Sequence, residues 1–212
     1  MSALDLQEQE QIDALKAWWK ENANKLIGMV LVVALAAAGW RGWQYYQNTQ
    51  AAEAATLYAG FIQQVESGDS KRINDAAAEV MERYPRTAYA PRAALLAAQV
   101  NEQAGDTGRA STQLQWVLAH TGESGLKSVA GLRLGAILLD EKKYDEALKQ
   151  LDTEHPPGFD ALYADLRGDV LNASGKRDEA RSAYTLAYEK TPESSQYRNL
   201  IQMKLDALGV KK

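Results

Sequence analysis

The chain has 212 residues, 46% of them apolar, with 24 basic and 28 acidic side chains and a net charge of −4. This balance offers no basic face for nucleic acid. The absence of cysteine excludes disulfides, zinc–thiolate sites, thiol nucleophiles and a lipidated-cysteine anchor, and it fits an oxidising outer compartment.

Residues 1–24 form the first segment. It is acid-rich, with Asp5, Glu8, Glu10, Asp13 and Glu21. Ile12, Leu15 and Trp19 fall at i, i+3 and i+7 beside Trp18, which predicts a short amphipathic helix. Such a helix lies on the membrane surface, continues the helix that follows, or docks a cytoplasmic partner.

The run Leu26 to Trp40 holds 15 residues without a charge, between Lys25 and Arg41. At a rise of ~1.5 Å per residue it covers about 22 Å, short of a hydrocarbon core of ~30 Å. Its flanks supply the rest. Lys25 and Arg41 can snorkel, and Trp40, Trp43, Tyr45 and Tyr46 suit one interface while Trp18 and Trp19 suit the other. Residues 25–46 therefore read as one transmembrane helix, with Leu26, Gly28, Leu31, Ala34, Ala38 and Trp40 as anchor residues. The small side chains of Gly28, Ala34, Ala38 and Gly39 permit close packing on other spans. Two readings compete. A buried core helix would carry a polar face and lack aromatic flanks. A cleaved signal would use Ala36-Ala37-Ala38, but it needs a short positive start, and the preceding segment is long and net negative. Three lysines (Lys16, Lys20, Lys25) precede the span and only Arg41 follows closely, which predicts a cytoplasmic N-terminus.

Residues 47–212 form the outer domain, and strand patterns are nearly absent from it. Ala51, Ala54, Ala55, Tyr58, Ile62 and Val65 keep one helical face up to a turn at Ser67-Gly68-Asp69. Ile73, Ala77, Val80 and Tyr84 follow, stopped by Pro85. Later segments repeat. Gly105 to Ala110, Lys142 to Ala147 and Gly175 to Ala180 align, with their alanines 37 and 33 residues apart. A period near 34 is that of the tetratricopeptide repeat, a pair of antiparallel helices. Leu134-Gly135 and Arg167-Gly168 take the Leu-Gly position of the first helix. Leu114, Leu151 and Tyr184 take the large position four residues after each alanine. The first full repeat has Ala97-Ala98 in place of Leu-Gly, and the link through Pro156-Pro157-Gly158 is irregular. Thr191-Pro192-Glu193 predicts an N-cap for a last helix bearing Tyr197, Leu200, Ile201, Leu205 and Leu208, which closes the stack. The fold class is all-α: a single transmembrane helix followed by a tetratricopeptide-like helical-repeat solenoid.

Catalytic signals are weak. His120 ends a helix and His155 precedes Pro156. Capping or solvent exposure accounts for both, with no metal-ligand partner at the required spacing. Asp165, Asp169 and Asn172 share a helical face, read as a polar groove or solvated surface rather than a carboxylate dyad. Stacked helix pairs build a groove lined by the first helix of each repeat. Its candidate partner-binding residues are Arg92, Gln99 and Glu102, then Leu132 with Ala136 and Leu139, then Asp165, Asp169 and Asn172. No catalytic, cofactor or metal site is expected.

Several stretches resemble one family. They are the acid-rich start, Trp18-Trp19, Gly39-Trp40-Arg41, Leu132-Arg133-Leu134, Tyr163-Ala164-Asp165-Leu166-Arg167-Gly168-Asp169, Gly175-Lys176 and Ala180-Arg181-Ser182-Ala183-Tyr184. Together they resemble the YfgM family, the ancillary subunit of the bacterial SecYEG translocon. The resemblance implies a single-pass type II inner-membrane protein with a periplasmic repeat domain. It also implies association with the SecYEG translocon and with a PpiD-type membrane-anchored periplasmic chaperone. The implied role is non-enzymatic: helping pass nascent exported polypeptides to soluble periplasmic chaperones. The family has also been given a cytoplasmic regulatory role in stress signalling. A generic periplasmic repeat scaffold is the third reading. No catalytic residue carries over.

Overall fold

The structure, a computed structural model, describes residues 3–209. Met1, Ser2 and residues 210–212, which bound the outer segments expected from sequence, lie outside the described residues, as does the side chain of Asp5. The described residues form α-helices and one 3-10 turn, with no strand among them. The chain separates into two compact units, Met1–Gln50 and Ala51–Lys212.

In the first unit every described residue is helical, within α1 (Ala3–Ser67). Ile12, Leu15, Trp18 and Trp19 belong to this same helix, so the segment continues into the apolar stretch, one of the readings the sequence offered. Of the anchor residues, Leu26 is half-buried, while Gly28, Leu31, Ala34, Ala38 and Trp40 are exposed. The stretch is long and apolar enough to cross a membrane, and none of it is buried. A soluble helix with this much bare apolar surface would aggregate. A bilayer is the solvent that removes the penalty.

The second unit begins with the last turns of α1. Phe61, fully buried, packs there with Leu57, Tyr58, Ile62 and Val65 against Ile73, Ala77 and Val80 of α2 (Ser70–Arg83). Asp69 caps α2 by accepting from the Lys71 and Arg72 amides, after Gly68 turns the chain at φ 74°. Helices then follow in pairs: α3 (Tyr89–Gln103) with α4 (Thr107–His120), α5 (Ser124–Asp140) with α6 (Tyr144–Leu151), and α7 (Asp160–Ala173) with α8 (Arg177–Lys190). The irregular link expected before Phe159 is a 3-10 turn at Pro157–Phe159. The last helix, α9 (Tyr197–Ala207), starts later than expected. Thr191 does not N-cap it. Instead Thr191 ends α8, where its buried hydroxyl donates back to the Ala187 carbonyl.

Each pair is joined by the same turn. The amides of Asp106, Lys143 and Lys176 donate to the carbonyls of Asn101, Leu138 and Leu171, five residues back, which closes each first helix. This geometry puts Gly105, Lys142 and Gly175 at φ 80°, 59° and 82°. Two of the three are glycine because a Cβ is disfavoured there.

Small residues set the helix crossings. Ala110, Ala147 and Ala180 have no exposed surface, and Leu114, Leu151 and Tyr184 are buried one turn later. A Cβ on Gly135 would stand 3.3 Å from Leu151 and Leu166, and one on Gly168 only 2.4 Å from the Tyr184 ring.

Two variants test this packing. Gly168→Ala gains helix propensity of up to about 1 kcal/mol, but the clash with Tyr184 costs more, so a net loss of about 1–2 kcal/mol is expected in urea unfolding. Lys142→Gly relieves the left-handed backbone and is expected to gain about 0.5–1 kcal/mol, read as a raised Tm.

Candidate functional site

The first helices of successive repeats lie side by side, tied by bonds that span about one repeat. Between α3 and α5, Arg92 grips Glu123 with two bonds of 2.9 Å. Arg133 donates to the Leu95 carbonyl at 3.2 Å and to Gln99 at 3.1 Å. Between α5 and α7, the Tyr163 hydroxyl donates to the Ser128 carbonyl at 3.2 Å. Gly131 makes room for that hydroxyl, because a Cβ there would lie 2.7 Å from it. Between α7 and α9, Tyr197 donates to Asp165 at 2.6 Å, and Lys204 reaches Asp165 at 2.7 Å and Asp169 at 2.8 Å. Asp169 also accepts from Tyr184 at 2.7 Å.

Most of the sequence-predicted groove residues are therefore committed to bonds or packing within the chain. Arg92 and Gln99 hold α5. Leu132 and Leu139 are half-buried against the Ala147, Leu151, Tyr163 and Val170 cluster, and Ala136 is half-buried as well. Asp165 and Asp169 are not an open polar face, since Lys204 of α9 bridges them and Tyr197 and Tyr184 donate to them. Asn172 is exposed beside them, on a groove of about 280 Å³ shared with Asp169, Arg177, Tyr184, Lys204 and Leu208. Glu102 keeps one carboxylate oxygen buried and without a partner. Burial pushes its carboxyl above the usual range, partly offset by Arg133.

Both histidines have structural roles. His120 stacks on Trp116 at 4.3 Å and bonds the Trp116 carbonyl. His155 is half-buried, and its Nδ1 bonds the Thr153 carbonyl at 2.8 Å. It stacks on Tyr163 at 3.8 Å, with Nε2 3.6 Å from Asp160.

A second polar cluster has no counterpart in the sequence reading. The amides of Asn74, Asn101 and Gln113 bond one another at 2.8–2.9 Å and tie α2, α3 and α4 together. Asn74 and Gln113 line a groove of about 640 Å³ together with Lys71, Asp75, Ala78, Met81 and Arg109, while Asn101 is buried behind them. Gln113 has a counterpart in the next repeat, Gln150 three residues after Ala147, whereas Asn101 aligns with Leu138 and Leu171.

A tetratricopeptide repeat-like domain model matches residues 16–210. An ancillary SecYEG translocon subunit of Neisseria gonorrhoeae is 36% identical over 207 residues, covering 97% of this chain and 99% of that protein. The chain belongs to the ancillary SecYEG translocon subunit family. The Escherichia coli K12 member is 34% identical over 96% of this chain and 97% of its own length. Among solved structures, a MamA RS-1 double mutant aligns with TM-score 0.54 and 21% identity, over 72% of this chain and 85% of that one. This likeness concerns the fold alone.

The electrostatics of the α7–α9 contact have a pH signature. Burial alone would lower the Lys204 pKa, but the hydrogen bonds it donates to Asp165 and Asp169 outweigh it and hold the ammonium above its usual 10.5. Burial, and then the neighbouring carboxylates, push the Tyr184 and Tyr197 phenols well above 10.0. All three folded values exceed the unfolded ones, so their contribution is intact below pH ~10 and is lost as pH rises through the folded values. Thermal melts are expected to show Tm falling above pH 10, with a shallower fall in Lys204→Met.

Proposed function

We propose that this chain is a non-enzymatic, membrane-tethered adaptor that associates with the SecYEG translocon and helps transfer exported proteins to periplasmic chaperones. One observation carries the reading: near full-length similarity to proteins named ancillary SecYEG translocon subunits. The bare apolar stretch of α1 supports an inner-membrane anchor over residues 25–46. The lysines before it support residues 1–24 in the cytoplasm and residues 47–212 in the periplasm. The repeat domain supplies the binding surface, and a PpiD-type membrane-anchored chaperone and emerging polypeptides are its partners. Asp165 fits a catalytic role poorly, because Tyr197 and Lys204 already take its Oδ2.

Tethering gives such a domain its leverage. A partner in the same membrane meets it at high effective concentration, so modest intrinsic affinity suffices.

Two measurements test the reading. The chain has no cysteine, so Gln9→Cys and Gln115→Cys each give a single thiol. A membrane-impermeant maleimide added to intact spheroplasts is expected to label Gln115→Cys only, and the reverse pattern refutes the orientation. Purified in mild detergent, the full-length chain is expected to bring down channel subunits and a membrane-anchored chaperone. If no channel subunit accompanies it, the translocon reading fails. Cytoplasmic regulation through the exposed Ile12, Leu15 and Trp19 then takes its place.

A further inference from the structure

The last helix is held differently from the others. α9 has 11 residues and fully buries only Ile201. By contrast, α7 buries six side chains or glycines and α8 buries four. Tyr197, Leu205 and Leu208 pack half-buried around Ile201, and the remaining attachments of α9 are polar. Lys204 and Tyr197 bond Asp165 and Asp169, Arg198 donates to the Thr191 carbonyl, and Arg181 donates to the carbonyls of Leu208 and Gly209. A lone helix of this length is marginal in water, so α9 keeps its form only while docked. Terminal elements with few buried contacts open at the lowest free energies.

What α9 covers is chemically demanding. Asp165 and Asp169 stand one turn apart on α7, with side chains 7% and 30% exposed. Every donor to Asp165 Oδ2 comes from α9, while its Oδ1 is buried with no partner. Removing α9 would take from Asp165 its cation and both donors to Oδ2, leaving an acceptor pair suited to recapture an equivalent cationic group. The groove of about 280 Å³ beside Lys204 gives an incoming side chain a route to the pair. The present occupant also defines the recognition pattern: a tyrosine hydroxyl at position 197, an apolar side chain at 201 and a lysine at 204, all on one face of a helix.

We propose that α9 is a releasable strap, an internal ligand at the C-terminal end of the groove. The Asp165–Asp169 pair beneath it is a docking site for a partner helix that presents an aromatic hydroxyl and a lysine two turns apart. The partner displaces α9 by supplying the same cation. This mechanism rests on the groove being the docking face, but it needs no translocon component, so it can fail while the translocon reading stands.

The probe is a fluorescent synthetic peptide with the sequence of residues 195–209, added to the detergent-solubilised full chain. The Lys204→Met chain is expected to bind it at least ten-fold more tightly than the unaltered chain. A peptide with methionine in place of its lysine is expected to lose at least ten-fold. Hydrogen exchange on the unaltered chain is expected to show α9 amides opening at least ten-fold more often than those of α7 and α8. Equal affinity of the two chains, equal binding of the methionine peptide, or α9 exchanging in step with α7 and α8 would each overturn the strap. The exchange result decides the matter even where Lys204→Met fails to fold.

Discussion

The repeat domain depends on how closely the second helix of each pair approaches the first. Ala110, Ala147 and Ala180 have no exposed surface, and the Tyr184 ring lies where a Gly168 side chain would be. Helices that meet at small residues reach the near end of the usual 8–10 Å interaxial range. That approach brings each pair within reach of the next. The bonds Arg92–Glu123, Arg133–Gln99, Tyr163–Ser128 and Lys204–Asp165 all span between 31 and 39 residues, about one repeat. A wider crossing in one pair would shift the register of every later bond.

Features repeated along the chain were legible, and features made once were not. The alanine positions, the glycine at the crossing, the Ser67-Gly68 turn and the stop before Pro85 all follow from local chemistry or from the period. Phe61 was missed because it lies between Tyr58 and Ile62 on a helix whose apolar stripe is wide, and only the arrival of α2 and α3 picks it out as core. The Asn74–Asn101–Gln113 cluster carries no hydropathy signal and joins residues up to 39 apart. The stacking of His155 on Tyr163 was not legible, because the irregular Pro156-Pro157-Gly158 link carries no repeat signal. Thr191 has the chemistry of a helix cap, but its hydroxyl bonds backwards into α8, and α9 begins six residues later. The groove residues were placed on the correct helices by period alone. Their partners were not, because Lys204 lies in a helix outside the recognised repeats.

Those partners change what the groove offers. A row of free polar side chains would grip many peptides. Here Arg92, Gln99, Arg133, Asp165 and Asp169 already have partners of opposite charge or matching polarity. A ligand gains little by duplicating such bonds, since each bond broken offsets the one made. Selectivity falls to the few groups left unsatisfied. Glu102 is one, with a buried oxygen that lacks a donor, and Asp165 Oδ1 is another. A buried acceptor without a partner is costly to the free protein, so a ligand that satisfies it recovers that cost on binding.

This arrangement favours weak, exchangeable contacts over a permanent grip. The adaptor role proposed above requires release, and a groove whose polar groups are mostly satisfied internally would release easily. The apolar stretch of α1 compensates in the other direction. By confining the domain to a membrane surface it raises the local concentration of any partner held there, and so multiplies a modest affinity without adding a contact. The two units divide the work in physical terms. In the proposed adaptor the anchor supplies residence, and the repeats supply a surface that would be specific where carboxylates are buried and permissive elsewhere. Strengthening the groove would gain affinity at the expense of release, whereas lengthening residence at the membrane raises occupancy and leaves the off-rate of each contact unchanged.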